Sequence, residues 1–338
     1  MVLVFFANES PLHVLQVLLN SALGSADDFS LTLFYSTSLL FTGLSVAIAF
    51  QGGLFNIGAE GQLTMAALMT VVCAPFLAFA EGPVGVLLLV LVGMFSGALW
   101  AGISGWIKVF RGGHEVVVTM MLNFLAAGAS TYLIVGPLHN PQSQNPESIP
   151  LAAGLTLRSI DPITRLFPTS PVNSSFLLAI FLCIFSWWLL RRTVVGYKLR
   201  ATGTNETAAR LHGISTDKFR LFVMMVSGAI ASGAAINEVL GNSGKFKIGF
   251  SADFGFVGIA VALLARNNPL AVIPSALLFG VLQKGTGDLD LETQNITRDF
   301  SRVMQAVIIL SVTIVASMNW EWAFASLKRK FSKQKSES

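Results

Sequence analysis

The sequence predicts an all-α integral membrane protein with about eight or nine membrane helices, some of them short or broken. Of its 338 residues, 53% are hydrophobic and only 12% are charged, whereas a soluble domain carries about 25% charged residues. Runs near the roughly 20 apolar residues that a spanning helix needs recur along the chain. This composition excludes a soluble enzyme, a nucleic-acid-binding protein and a disordered chain.

The spans follow from the apolar runs, taken in chain order. Leu63–Phe79 and Val303–Met318 are slightly short but apolar enough to cross, whereas Leu270–Leu282 is weaker. Residues 11–24 carry apolar side chains on one face and predict an interfacial or short helix. The five runs that are clearly long enough are Phe29–Phe50, Val84–Trp106, Val116–Val135, Phe176–Leu190 and Phe219–Leu240.

The apolar segment 254–265 is too short for a complete crossing. Twelve residues of helix rise about 18 Å, which is less than the roughly 30 Å of the hydrocarbon core. The segment is therefore either a half-helix in a protein-lined cavity, where broken backbone is tolerated, or a short buried span. A short, glycine-interrupted segment points to a transport path, and the alternative is tight packing of small residues between helices.

Lysine and arginine residues set the orientation, because cytoplasmic loops retain them. If Val84–Trp106 runs from the outside to the inside, 15 of the 22 lysines and arginines fall on the cytoplasmic side. The C-terminus, with its basic tail 325–338, is then cytoplasmic. The seven that remain outside are Arg158, Arg165, Lys245, Lys247, Lys284, Arg298 and Arg302.

Two loops suggest contacts beyond the spans. The outer loop 136–173 is rich in proline, serine and asparagine, and it either meets a partner outside the membrane or simply connects two spans. The cytoplasmic loop 196–214 predicts a short helix at Glu206–His212, with Thr204 or Asn205 as its cap and Gly213 as its left-handed end. Because so short a helix is unstable alone, we expect it to dock on the membrane face of this protein or on a cytoplasmic subunit.

The densest polar feature, Gln51–Gln62, lies between two apolar spans. Its four glycines allow an unwound stretch, and Asn56 and Glu60 are four residues apart, which places them on one face of a helical turn. Polar groups at membrane depth line a cavity or pair with a partner. The alternative is a helix N-terminus with Asn56 as the cap and Glu60 in the first turn.

Other polar residues inside the spans also qualify as candidates. Glu115 and Asn123 share one span, and Asn237 and Glu238 lie near the outer end of another. Each of these residue types more often forms an interhelical hydrogen bond than contacts a ligand.

No recognisable catalytic or nucleotide-binding motif occurs in the sequence. The phosphate-binding pattern G-x-x-x-x-G-K-[ST] is absent, and the four histidines lack metal-ligand spacing. The only two cysteines, Cys73 and Cys183, lie inside apolar runs, which argues against a disulfide framework or a zinc site. We therefore expect a non-catalytic chain without a cofactor of its own.

Four stretches carry a family resemblance: Gly53–Gln62, Arg111–Asn123, Leu199–Ile214 and Phe254–Pro269. The last three are similar to the patterns R-G-x-x-E-V-x-x-T-x-M-L-N, L-R-A-x-G-x-N-x-x-A-A-R-x-x-G-I and G-F-x-G-I-A-V-A-L-L-G-R-x-x-P. Together they resemble the permease subunits of bacterial nucleoside and simple-sugar ABC importers, in the branched-chain amino acid and ribose permease superfamily. The chain departs from that pattern before residue 11, where only Met1–Ala7 stands in place of a full apolar span.

The resemblance implies a permease of the bacterial cytoplasmic membrane that forms one pathway with a second permease. Separate cytoplasmic ATPase subunits would bind ATP and drive transport, and an extracytoplasmic lipoprotein or periplasmic protein would deliver the substrate. Nucleosides are the favoured substrates, with simple sugars or riboflavin as alternatives. The loop that meets the ATPase in the family matches Leu199–Ile214, and its implied coupling residues are Gly203, Asn205, Ala208, Ala209, Arg210 and Gly213.

A substrate route follows from the polar segments and their aromatic residues. An aromatic face can stack on a nucleobase, which contributes about 1–3 kcal/mol in single-stranded nucleic-acid binders. The alternative for each aromatic residue is packing against lipid or a neighbouring helix. A rival function, ion-coupled secondary transport, needs midplane carboxylates, of which the clear spans hold almost none. The predicted route residues are Phe55, Asn56, Glu60, Asn123, Phe254 and Phe256.

Overall fold

The computed structural model describes residues 10–166, 169–251, 253–292, 303, 306–307 and 310–311. Within these residues the chain is helical and its only β-pairing consists of two isolated bridges, which confirms the all-α fold. Seven helices there are long and apolar enough to cross a membrane, and two shorter apolar helices accompany them. Residues 1–7, all but a few positions of the predicted span 303–318, and the tail 325–338 lie outside the described residues.

The helices and their bounds follow the apolar runs closely. Two of them are extended, α3 by a 3₁₀-helix at Ala74–Ala80 and α11 by a π-helix at Ile236–Ser243, and the outer loop contains a 3₁₀-turn at Ala153–Leu155. In chain order the helices are α1 (Pro11–Leu23), α2 (Ala26–Gln51), α3 (Ala59–Cys73), α4 (Pro83–Arg111), α5 (Glu115–Val135), α6 (Leu157–Ile160), α7 (Pro162–Leu166), α8 (Ser175–Arg192), α9 (Val194–Thr204), α10 (Glu206–Leu211), α11 (Thr216–Ala235), α12 (Phe254–Leu264) and α13 (Pro269–Glu292).

Helix α2 lies at the centre of the bundle. In its most apolar stretch 83% of the residues are buried. The helix packs against α11, α12 and α13. The start of α2 is set locally, because the Ser25 hydroxyl oxygen accepts a hydrogen bond from the Asp28 N–H at 3.1 Å. Some of its buried hydroxyl groups are satisfied within the helix, as where Thr42 donates to the Ser38 carbonyl oxygen at 3.1 Å, and others by neighbouring helices, as where Thr32 donates to the Ala22 carbonyl oxygen at 2.8 Å. The centre can therefore be polar without exposing unpaired groups.

Helix α1 packs against α13 and α2 rather than standing apart from the bundle. Its buried side chains, among them Val14, Val17 and Leu18, face those helices. The amphipathic face recognised in the sequence therefore has a partner inside this chain.

The outer loop 136–173 folds back onto the helices. Leu155 and Val172 are buried, and the Ser148 N–H donates to the Phe246 carbonyl oxygen at 2.9 Å. The Lys245 ammonium lies 2.7 Å from the Glu147 carboxylate, and this hydrogen bond lowers the pKa of the Glu147 carboxyl from its ordinary value of 4.5. The loop is thus tied to the segment that follows α11 by contacts within this chain.

Candidate functional site

Residues 52–58 form an unwound segment between α2 and α3. Gly53 turns the chain with a left-handed φ of 71°, a conformation that favours glycine. Leu54 and Asn56 are almost completely buried. Irregular backbone inside a membrane bundle is tolerated only where protein groups or a cavity satisfy it, so the partners of this segment decide its role.

Asn56 holds the unwound segment through its side-chain amide. Its Nδ2 donates to Gln62 Oε1 at 3.0 Å and to Ser227 Oγ at 2.8 Å, and its Oδ1 accepts from the Gly58 N–H and from Gln62 Nε2, both at 2.9 Å. The alternative prediction that Asn56 caps α3 is wrong, because Gly58 occupies the cap position and Asn56 accepts from the Gly58 N–H rather than from an N–H in the first turn of the helix. The amide is occupied by Gln62 and Ser227 instead.

Asn123 braces the same segment from α5. Its Oδ1 accepts from the Gly61 N–H at 2.8 Å, and its Nδ2 donates to the Ile57 carbonyl oxygen at 3.0 Å. Glu115, at the start of the same helix, forms an ion pair of 2.8 Å with Lys108. Both α5 candidates therefore have protein partners in this conformation.

Glu60 joins α3 to the N-terminus of α12. Its carboxylate accepts a hydrogen bond of 2.7 Å from the Gly255 N–H and another from the Ser251 hydroxyl. Since the N-terminus of a helix carries a partial positive charge, a carboxylate there is favourable. Gly255 is needed for this approach, because a Cβ on it would lie 2.3 Å from the Glu60 backbone nitrogen.

The structure separates the predicted aromatic residues into two kinds. Phe254 is buried, and its ring centroid lies 6.5 Å from that of Tyr35. Phe256, two residues later, is 43% exposed. Phe55 is half-buried, with its ring 4.9 Å from that of Phe50. Phe256 and Phe55 thus present part of their rings outside the core of this chain, whereas Phe254 belongs to the core.

A second polar cluster lies towards the other end of the bundle, where α11 continues as a π-helix. Asn237 Oδ1 accepts from Asn173 Nδ2 and from Ser175 Oγ, both at 2.9 Å. Its Nδ2 donates to Ser38 Oγ at 2.9 Å, and Glu238 is buried beside it. Sequence reasoning named Asn237 and Glu238 but missed their partners, since serines within apolar runs give little signal.

The coupling loop (residues 196–214) contains the short helix α10. Asn205 is its cap, because Asn205 Oδ1 accepts from the Ala208 N–H at 3.0 Å. The helix ends at Leu211, one residue before the predicted end, and Gly213 follows with a left-handed φ of 77°. Ala209 is buried by residues of this chain.

Charged groups fix α10 to the start of α11. Arg210 lies 2.9 Å from Glu206 and 2.8 Å from Asp217, and its Nε donates to Thr216 Oγ1 at 2.8 Å. Leu211, which sequence reasoning did not single out, is 83% exposed. Arg210 therefore stabilises the loop itself, and Leu211 is the apolar side chain that projects from it.

The coupling loop and the unwound segment touch through two glycines. A Cβ on Gly203, near the end of α9, would lie 2.2 Å from the Gln51 carbonyl oxygen and 2.8 Å from the Gly53 nitrogen. A Cβ on Gly53 would lie 2.9 Å from the Gly203 Cα. We call this backbone approach the glycine contact. Nothing local in the sequence pairs these two positions.

Comparison with known proteins decides the family. Residues 29–313 match the family described as branched-chain amino acid transport system / permease component. The chain belongs to this family. This permease is therefore a multi-pass membrane protein, as the seven long apolar helices indicate.

Three relatives resemble the permease over most of its length. The chain is 30% identical to a glucose ABC transporter permease protein of Haloferax volcanii, over 90% of this chain and 80% of that protein. It is 30% identical to a nucleoside ABC transporter permease protein of Lactococcus lactis, over 90% of this chain and 84% of that protein. It is 32% identical to a guanosine ABC transporter permease protein of Bacillus subtilis, over 87% of this chain and 82% of that protein.

Proposed function

We propose that this permease is the membrane subunit of an ABC importer for nucleosides, in which the glycine contact transmits the movement of a bound ATPase to the substrate route. The glycine contact is the observation on which the proposal depends. It joins a loop with an exposed helix, α10, to the unwound segment that contains Phe55 and Asn56. Because both partners at the contact are backbone, a shift of the loop displaces the unwound segment directly.

The partners follow from the surfaces that this chain leaves uncovered. Leu211 on α10 projects away from the chain and contacts the cytoplasmic ATPase that binds ATP. Phe256 is exposed on one face of α12. A second permease covers this face and supplies the opposite wall of the pathway. An extracytoplasmic lipoprotein or periplasmic protein delivers the substrate at the side of the outer loop. In this arrangement the permease lies in the cytoplasmic membrane of a bacterium, and α10 and the C-terminus face the cytoplasm.

The nucleoside assignment is supported by two of the three relatives described above and by the available aromatic faces of Phe55 and Phe256. Uptake by the reconstituted complete importer, competed with unlabelled compounds, tests it. Guanosine or uridine in excess should abolish uptake of a labelled nucleoside, and glucose and riboflavin should leave it unchanged. Competition by glucose alone would favour a sugar permease, as the Haloferax relative suggests.

The source of energy is tested with the permease alone. Vesicles that contain this chain without ATPase subunits should show no concentrative uptake under a proton or sodium gradient, and the purified chain should neither bind nor hydrolyse ATP. Accumulation under an ion gradient would replace the proposal with an ion-coupled secondary transporter, in which Glu60 and Glu115 would be the carboxylates to examine.

A further inference from the structure

Three arginines line one cavity at the end of the bundle that we assign to the cytoplasm. Arg191 at the end of α8, Arg200 on α9 and Arg266 after α12 surround a space of about 520 Å³. We call it the arginine cavity. Gln51, the last residue of α2, also lines it.

The charges of the arginine cavity are not compensated by carboxylates of the described residues. In the described part of the chain no carboxylate lines the cavity, and none of the three guanidinium groups forms an ion pair. Arg210 and Arg220, on the nearby coupling loop and α11, are both paired with Glu206. Like charges gathered in one concave site repel each other and attract an anion.

The backbone holds Arg266 at the cavity in a costly conformation. Arg266 and Asn267 both adopt left-handed φ values, 49° and 56°, which non-glycine residues rarely adopt. Gln51 Nε2 donates to the Asn267 carbonyl oxygen at 2.9 Å and secures this turn. Asn267 Oδ1 is buried without a hydrogen-bond partner among the described residues. Strained, incompletely satisfied turns of this kind persist where the surroundings fix them, and they cluster at binding sites.

Apart from Gln51 and Asn268, the other residues that line the arginine cavity are apolar and lie in membrane helices or at their ends. Trp187 lies in the last turns of α8, where the Arg191 guanidinium stacks 5.6 Å from its ring centroid, and Leu264 and Ala271 come from α12 and α13. A tryptophan in this position is typical of the membrane–water interface. The cavity thus joins a cationic recess to an apolar border at the depth of lipid headgroups.

We propose that the arginine cavity binds a phosphate group, and that an anionic phospholipid of the cytoplasmic leaflet supplies it. Guanidinium groups bind phosphate oxygens through paired, charge-assisted hydrogen bonds, and basic recesses between membrane helices on the cytoplasmic side bind anionic headgroups. The assignment to the cytoplasmic leaflet rests on the orientation in the proposed function. Binding itself does not, so a test in detergent distinguishes a failure of the site from a failure of the orientation.

The test is retention of short-chain lipids by the full-length permease in detergent, measured by native mass spectrometry. The probes are dihexanoyl phosphatidylglycerol, dihexanoyl phosphatidylcholine and glycerol 3-phosphate. The double variant R200Q/R266Q removes two of the three cavity charges. R192Q is the matched control, because Arg192 is adjacent to Arg191 and exposed but does not line the cavity. Gel filtration and circular dichroism check that all variants fold.

The permease should retain phosphatidylglycerol in preference to phosphatidylcholine, and R200Q/R266Q should lower its affinity by about 30-fold, since each arginine contributes on the order of tenfold or less. R192Q should bind like the unaltered chain. If glycerol 3-phosphate bound to the permease as tightly as phosphatidylglycerol does, the result would contradict the lipid as the source of the phosphate. Equal retention of both lipids, or an equal loss in R192Q, would overturn the site.

Discussion

Two short helices, α10 and α12, are stabilised in opposite ways. Helix α10 has six residues and its own cap, Asn205, and its ion pairs reach no further than the start of α11. Helix α12 has 11 residues, and the carboxylate at its N-terminus comes from Glu60, 195 residues earlier in the chain. The comparison shows that α10 is a locally built unit, whereas α12, on the proposed substrate route, is held by a long-range polar contact.

The largest effect is expected when the long-range contact at α12 is broken. Glu60→Ala leaves the Gly255 N–H and the Ser251 hydroxyl without their acceptor, at a cost of about 1–3 kcal/mol. We expect uptake to fall to background and the permease to unfold at a lower temperature. Glu60→Gln, which keeps one acceptor oxygen, is the matched control and should retain part of the uptake. Equal uptake by Glu60→Ala and the unaltered chain would show that this contact is dispensable.

A smaller and different effect is expected on the exposed side of α10. Leu211→Ser should weaken ATPase binding by about 10- to 100-fold, because a buried leucine contributes about 1.5–3 kcal/mol. The fold should be unchanged, since Leu211 is 83% exposed. Co-purification of the ATPase with the permease measures the strength of ATPase binding. The control is Val194→Ser, at an exposed position on α9. Undiminished co-purification would exclude Leu211 from the interface.

The cap of α10 should matter less than its exposed leucine. Asn205→Ala removes the acceptor for the Ala208 N–H, and loss of such a cap costs about 1 kcal/mol. We expect uptake to fall by about fivefold, and Asn205→Asp, which preserves the oxygen, to transport normally. If alanine and aspartate behave alike, the cap does not limit transport.

The smallest effect is expected at an ion pair that is long-range but outside the membrane. The pKa of the Glu147 carboxyl is lowered by Lys245, so the pair stabilises the fold at neutral pH and loses this contribution as the pH falls through the lowered pKa. Glu147→Gln should lower the unfolding temperature slightly at neutral pH. The difference from the unaltered chain should shrink as the pH falls below the ordinary value of 4.5 and vanish only below the lowered pKa. A difference that persists there would assign the effect to packing.

The same contrast explains what could be predicted from the sequence. Asn205 and Gly213 lie within one turn of the helix that they delimit, so its cap, its end and its approximate bounds were predictable. The apolar runs likewise gave the spans, since bilayer thickness sets their length. Asn56 looked like a cap by the same local rule, but Gln62 and Ser227 occupy its amide in the fold.

Contacts between distant parts of the chain could not be inferred in this way. The partner of Glu60 is a backbone N–H on α12, and a backbone group has no sequence signature. Gly203 and Gly53 are small residues among many, and only the folded backbone places them together. Phe254 and Phe256 are similar in sequence, but the rotation of α12 buries one and exposes the other.

The central claim, that the glycine contact couples the ATPase to the substrate route, is tested most directly by Gly203→Ala in the reconstituted importer. The added Cβ would lie 2.2 Å from the Gln51 carbonyl oxygen, and overpacking of this kind costs about 1–3 kcal/mol, enough to shift a two-state equilibrium by about fivefold or more. The measurement is the number of substrate molecules taken up per ATP hydrolysed, with Gly287→Ala as the control because a Cβ there meets open space. We predict that Gly203→Ala keeps the ATPase bound and hydrolysing but lowers this ratio by about fivefold or more. An unchanged ratio would contradict the claim.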